Sequence, residues 1–165
     1  MSRLKHLTKF VALDVGMARI GVATCDPLGL TVRPLTVIQR TSRNRDFAKL
    51  VEIVKEEEAD AIVCGLPLNM DGSEGSQAKS TRKWAKRFAY ALRALLGHPI
   101  PLLFWDERLS TFTAQKIMIT DGDSYLSHHS NTASEDAVAA AVILRSYLDA
   151  QKQEDKRDFG QILLS

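Results

Sequence analysis

The stretch Phe10–Asp26, F-V-A-L-D-V-G-M-A-R-I-G-V-A-T-C-D, sets a carboxylate, Asp14, at the end of one apolar run. A glycine follows two residues later, then a short break at Arg19 and a second apolar run, Ile20–Ala23. Runs this short, bounded by glycine, predict two strands joined by a tight turn. A carboxylate inside a strand that reads as buried must be paired, hydrogen-bonded or bound to a cation. Asp14 therefore either ends its strand by accepting turn amides or belongs to a site.

The rest of the chain decides what surrounds that hairpin. Leu30–Gln39 is rich in β-branched residues and predicts a third strand, with Pro34 pointing to a sheet edge or a bulge. Phe47, Leu50, Val51 and Val54 recur at helical spacing, so 46–58 is expected to be an amphipathic helix. Ala61–Leu66 reads as a fourth, buried strand, and P-L-N-M-D-G-S-E-G-S after it as a loop. A long helix, about 77–96, is closed by Gly97 and Pro99. Pro101–Trp105 is a fifth strand that runs into Asp106 and Glu107. Ser110 is placed to cap a short helix to about Met118, and 121–131, with His128 and His129, is polar loop. T-A-S-E then supplies a capping box, Thr132 with Glu135, for a last helix to about Ala150. The tail beyond it, 150–165, is expected to fray.

The order β-β-β-α-β-α-β-α-α predicts an α/β fold, a five-stranded mixed sheet with helices on both faces. With 165 residues, the chain suits a single domain, 1–165. No apolar run reaches the roughly 18 residues of a membrane span. Cys25 and Cys64 lack C-x-x-C spacing and read as two buried thiols, so a reducing, cytoplasmic address is expected.

Ligands in such sheets collect at the carboxyl ends of the parallel strands. Asp14 and the Asp106–Glu107 pair lie at strand ends, and Asp136, in the first turn of the last helix, has apolar neighbours at helical spacing. Acids gathered at one edge suggest a hard cation held by oxygen ligands. Net charge is only +2, but no Asp or Glu lies between Gly75 and Trp105, where Lys79, Arg82, Lys83 and Lys86 share one helix face. That face suits a phosphate backbone better than a merely solvated surface. Trp84 and Trp105 could stack on bases, but core packing is the commoner use of such residues.

Four blocks carry a resemblance: D-V-G-M-A-R-I-G-V-A, V-C-G-L-P-L-N-M-D-G-S-E, W-D-E-R-L-S-T and E-D-A-V-A-A-A-V-I-L-R-S-Y-L. In this order, from about Phe10 to Leu148, they resemble the signature blocks of the YqgF family. The resemblance implies a ribonuclease H-like fold related to Holliday-junction resolvases, and a nuclease that trims the 5′ end of the 16S ribosomal RNA precursor. By motif position, Asp14, Glu107 and Asp136 match the family's acidic triad. The run S-H-H-S-N-T-A-S-E departs from the basic residues that family members often carry before the last carboxylate.

Such carboxylates can hold two Mg²⁺ or Mn²⁺ ions roughly 3.5–4 Å apart for in-line attack on phosphorus. Asp14, on the central strand, is the expected bridge. Asp106 should point to the opposite face of its strand and act structurally. Asn69 and Asp71 could reach a phosphate or a metal-bound water. Arg19 and Arg108 could contact phosphate, or instead hold Asp14 or Glu107 by salt bridges. Three functions compete: a metal-dependent endonuclease on ribosomal RNA precursor, a resolvase of branched DNA, and a nucleic-acid-binding module without catalysis. An actin-like ATPase would need two duplicated halves, and this length supplies one. Monomer and homodimer are equally compatible with the sequence.

Overall fold

The computed structural model describes residues 8–110 and 132–165. Its elements are β1 (Phe10–Val15), β2 (Arg19–Cys25), β3 (Val32–Gln39), α1 (Arg43–Glu56), β4 (Ala61–Leu66), α2 (Ser76–Leu96), β5 (Leu102–Asp106), a 3-10 turn (Glu107–Ser110), α3 (Thr132–Lys152) and β6 (Gln161–Ile162). They form one mixed sheet in the order β3-β2-β1-β4-β5-β6. β1 is antiparallel to β2 and parallel to β4, which is parallel to β5. The short helix expected after Ser110, the loop 121–131 with its histidines and the Thr132 cap lie outside the described residues or side chains. Among the described residues, no helix is long and apolar enough to cross a membrane.

Strand alternation gives the sheet two unlike faces. Val11, Leu13, Ile20, Val22, Ile62, Cys64, Leu66 and Phe104 pack under α1 and α2. Phe47, Trp84 and Phe88 meet there, with ring centroids 5.3–5.6 Å apart. The other face is built of small residues, Ala12 and Ala23 with Val63 and Trp105, under an α3 rich in alanine. Small side chains on both surfaces let the helix lie close to the sheet, which brings its first turn down to the end of β1. Trp105 donates its Nε1–H to Ser146 Oγ at 2.9 Å. Both tryptophans are thus core residues rather than base-stacking platforms. Cys25 and Cys64 are buried thiols.

One local feature matches the pattern of the sequence and another departs from it. β3 is the edge strand, and its register slips between Val22↔Thr36 and Ala23↔Pro34, a bulge at the predicted proline. Helix α1 begins earlier than its apolar periodicity suggests. Ser42 caps it by accepting the Arg45 amide at 3.3 Å, and its polar first turn leaves no trace in a hydrophobic pattern.

The tail corrects two expectations, its fraying and the count of five strands. β6 adds a sixth strand antiparallel to β5, pairing Leu102 with Ile162 and Leu103 with Gln161. Gly160 turns the chain at φ +99°, and the Phe159 ring stands edge-on to Trp105 at 5.3 Å. Arg82 donates to the Phe159 carbonyl at 2.9 Å and Arg93 to that of Ser165 at 3.0 Å. A two-residue strand carries no readable period. What holds it is the otherwise open edge of β5, whose amides and carbonyls need partners.

Candidate active site

Asp14 follows Ala12 on β1 and so faces α3. Two glycines flank it: Gly21 lies opposite on β2, and Gly65 follows Cys64, the partner of Leu13, on β4. Each keeps a space open. A Cβ on Gly21 would stand 1.9 Å from the Asp136 carbonyl oxygen, so the first turn of α3 rests directly on the β2 backbone. A Cβ on Gly65 would stand 2.8 Å from Glu107 Oε1 and 2.7 Å from Ile143 Cδ1. Glu107, the first residue of the 3-10 turn after β5, therefore folds back over Gly65 toward Asp14. Neither glycine figured among the candidate residues, although glycine inside a strand signals such close approach.

The result is a carboxyl pair with a third acid beside it. Glu107 donates a hydrogen bond to Asp14. Burial pushes the Glu107 carboxyl up to about 8, helped by the charge of Asp14 and by the hydrogen bond it gives that residue. Asp14 is also raised, chiefly by burial; the hydrogen bond from Glu107 opposes the rise and the charge of Asp136 adds to it. Both carboxyls thus hold a proton to higher pH than usual, because two close, desolvated carboxylates repel.

Asp136 is within electrostatic reach of Asp14, but its carboxylate is engaged elsewhere. Arg19 Nε donates to its Oδ2 at 2.6 Å, with side-chain exposures of 34% and 28%. The sequence offered Arg19 to a phosphate or to Asp14 or Glu107, and the structure pairs it with Asp136. Among the described residues, no three His, Cys, Asp or Glu side chains stand close enough to hold a metal ion as placed. The chemistry nevertheless fits a hard divalent cation. The donors are all carboxylate oxygens, two of the carboxyls crowd each other, and a guanidinium, itself a cation, occupies the third.

A family model described as "RuvX: Holliday junction resolvase" matches residues 8–150. The chain belongs to the RuvX (YqgF) family. It is 42% identical over 150 residues, 91% of this chain and 93% of the relative, to a Synechococcus elongatus protein named "Putative pre-16S rRNA nuclease". A Myxococcus xanthus protein of the same name is 41% identical over 145 residues, 88% of this chain and 90% of that one. Among solved structures, RuvC of T. thermophilus in complex with Holliday junction substrate superposes with a TM-score of 0.59 at 10% identity, covering 92% of this chain and 99% of that one. The yeast mitochondrial Holliday junction resolvase Ydc2 gives 0.57 at 14%, covering 89% and 80%. At such low identity these two speak for the fold, which is the expected ribonuclease H-like one.

The remaining predicted residues of this RuvX-family chain scatter around the rim. Asp106 lies on the opposite face from Asp14, fully buried, and Arg108 grips it through Nε and Nη2 at 2.7–3.1 Å. Asp106 is therefore structural, as strand alternation predicts, and Arg108 holds it. Arg108 Nη1 also donates to the Met70 carbonyl at 2.9 Å, tying down the loop after β4. In that loop Asp71 accepts from the Ser73 amide and hydroxyl, which hold its carboxyl below the usual range, and Asn69 donates to Ser73 Oγ at 3.0 Å. Both side chains fasten the loop.

The basic helix divides in two. Lys79, Lys83 and Lys86 are exposed on α2. Arg82 is not a spare cation: it pairs with Glu74 at 2.7–2.8 Å, reaches Phe159 and lies over the Phe104 ring at 4.8 Å. α2 covers the sheet face away from Asp14. Since it follows β4, its first turn stands at the carboxylate rim, and each residue beyond recedes by about 1.5 Å.

Proposed function

We propose that the chain is a metal-dependent endonuclease that hydrolyses phosphodiester bonds, acting in the cytoplasm on the 5′ end of the 16S ribosomal RNA precursor. The half-buried Asp14–Glu107 pair, with Asp136 beside it at the carboxyl rim of the parallel strands, carries this reading. The name shared by the curated relatives supports the substrate.

Asp14, Glu107 and Asp136 would hold the ions, Mg²⁺ or Mn²⁺. Bound there, such ions supply Lewis-acid stabilisation of the phosphoryl oxygens and a water acidic enough to attack. The chain supplies the rest. β1, inside the sheet, fixes Asp14. Gly65 leaves room for Glu107 to reach it, and the seat of α3 on Gly21 fixes the Asp136 backbone. The covering helix keeps bulk water from the inner side of the pair. Lys79 and, one turn on, Lys83, both exposed on α2, would meet a phosphate backbone that approaches the rim. Asn69 and Asp71 set the shape of the adjacent loop.

A second reading, cleavage of four-way DNA junctions, draws on the description of the matching family and on the fold shared with resolvases. The test offers the purified protein, with Mg²⁺ or Mn²⁺, the ribosomal RNA precursor, a four-way DNA junction and single strands of each. Asp14→Asn keeps size but removes charge, and should lower cleavage by at least about a thousandfold, roughly 4 kcal/mol of transition-state stabilisation. Nucleic-acid binding should persist. Equal cleavage by wild type and variant would reject the nuclease reading, and metal-dependent binding without any hydrolysis would favour a binding module.

A further inference from the structure

Asp136 has two directions open to it, and the structure fixes nearly everything else about it. Its backbone is seated on Gly21, where not even a methyl group would fit, so the helix end stands directly on β2. From there the carboxylate is within electrostatic reach of Asp14. It takes Arg19, at 2.6 Å.

Arg19 is itself held for this contact. It is the first residue of β2, paired with Gln39, and its carbonyl closes the hairpin turn by accepting the Gly16 amide at 2.8 Å. Arg40 secures the same turn from outside. Its Nη1 donates to the Gly16 carbonyl at 2.6 Å and its amide to the Ala18 carbonyl at 2.9 Å. The guanidinium is thus presented by a braced turn, and its partner lies 117 residues away.

We infer that Arg19 is a resident counter-ion that competes with the divalent cation for Asp136. With the guanidinium in place, Asp136 is held in an ion pair apart from Asp14 and Glu107. A divalent cation recruits Asp136 only by displacing Arg19. Arg19 is then a positioning residue that raises the cation concentration at which the full set assembles. The inference rests on the reading of Asp14, Glu107 and Asp136 as cation ligands. It differs from that reading in what Arg19 does.

The experiment is Mn²⁺ binding to the nucleic-acid-free protein, followed by calorimetry and by the electron paramagnetic resonance signal of free Mn²⁺. Arg19→Gln should bind Mn²⁺ about fivefold more tightly, the scale set by a partly exposed ion pair. Arg19→Lys, which keeps the charge, should stay near wild type. Loss of any positive charge nearby would also favour cation binding, so the cycle is completed in the Asp136→Asn background. There Arg19→Gln should leave affinity unchanged, because nothing remains to compete for. A fivefold gain that persists with Asp136→Asn would overturn the inference in favour of a general field effect. Unchanged or weaker binding by Arg19→Gln, with only a lower melting temperature, would make the ion pair purely structural and overturn it too. Wild type and Asp14→Asn binding Mn²⁺ alike would instead bring down the cation-site reading beneath it.

Discussion

Glu107→Gln should remove most of the pH dependence of stability that the carboxyl pair imposes on the metal-free protein. The unfolded chain holds the Glu107 proton only below about 4.5, whereas the fold keeps it up to about 8. Below 4.5 both states are protonated and the group contributes nothing to the slope. Between 4.5 and 8 the folded state binds the extra proton, so raising the pH favours unfolding; above 8 the full loss is present. At about 1.4 kcal/mol per pH unit, that interval bounds the effect at roughly 5 kcal/mol, and half of it is easily measured. The substituted amide would still donate to Asp14 and fill the same space over Gly65, but it has no proton to lose. Urea unfolding with a chelator present, at intervals from pH 4.5 to 9, should give a wild-type curve that falls and a variant curve that stays nearly flat. The two should meet at the acid end. Excess Mg²⁺ should flatten the wild-type curve, since the cation takes the place of the proton. Parallel curves, offset by a constant across the range, would refute the raised Glu107 carboxyl.

Gly21→Ala should cost about 1–3 kcal/mol and reduce hydrolysis, because a Cβ 1.9 Å from the Asp136 carbonyl must push the first turn of α3 outward. Thermal melting and cleavage measured on one preparation check it, and a variant unchanged in both would refute the close seat. Replacing Lys79 and Lys83 by Ala should weaken nucleic-acid binding and lower the salt slope by roughly 0.7 for each single-strand phosphate that is no longer neutralised. Arg82→Ala should leave that slope alone but lower the melting temperature, because its guanidinium holds Glu74 and the Phe159 carbonyl.

What the sequence made legible was whatever depends on local period. β4 was read to the residue, Pro34 marked the edge and the bulge, and strand alternation separated Asp106 from Glu107 although they are neighbours. The resemblance selected three acids, of which the structure joins two directly and holds the third beside them. Arginines were the hardest to place. Arg19, Arg82 and Arg108 each take a protein partner that no spacing in the sequence named, because a long cation binds whichever acid or carbonyl tertiary folding brings near. Arg19 and Asp136 are 117 residues apart, and no spacing rule reaches that far. β6 escaped for a different reason: its stability comes from the strand it covers and not from its own two residues.

The cover of the small-residue face has a consequence for how the protein is made. Ala12, Ala23, Val63 and Trp105 are all synthesised before the helix that shields them. While the ribosome is still adding that helix, the growing chain can build β1 to β5 and the α1–α2 side, yet the small-residue face remains open. Asp136 arrives on that same helix. Closing the interior and completing the acid set are therefore one event. A chain interrupted by a premature stop before α3 lacks Asp136 and leaves the small-residue face of the sheet unshielded.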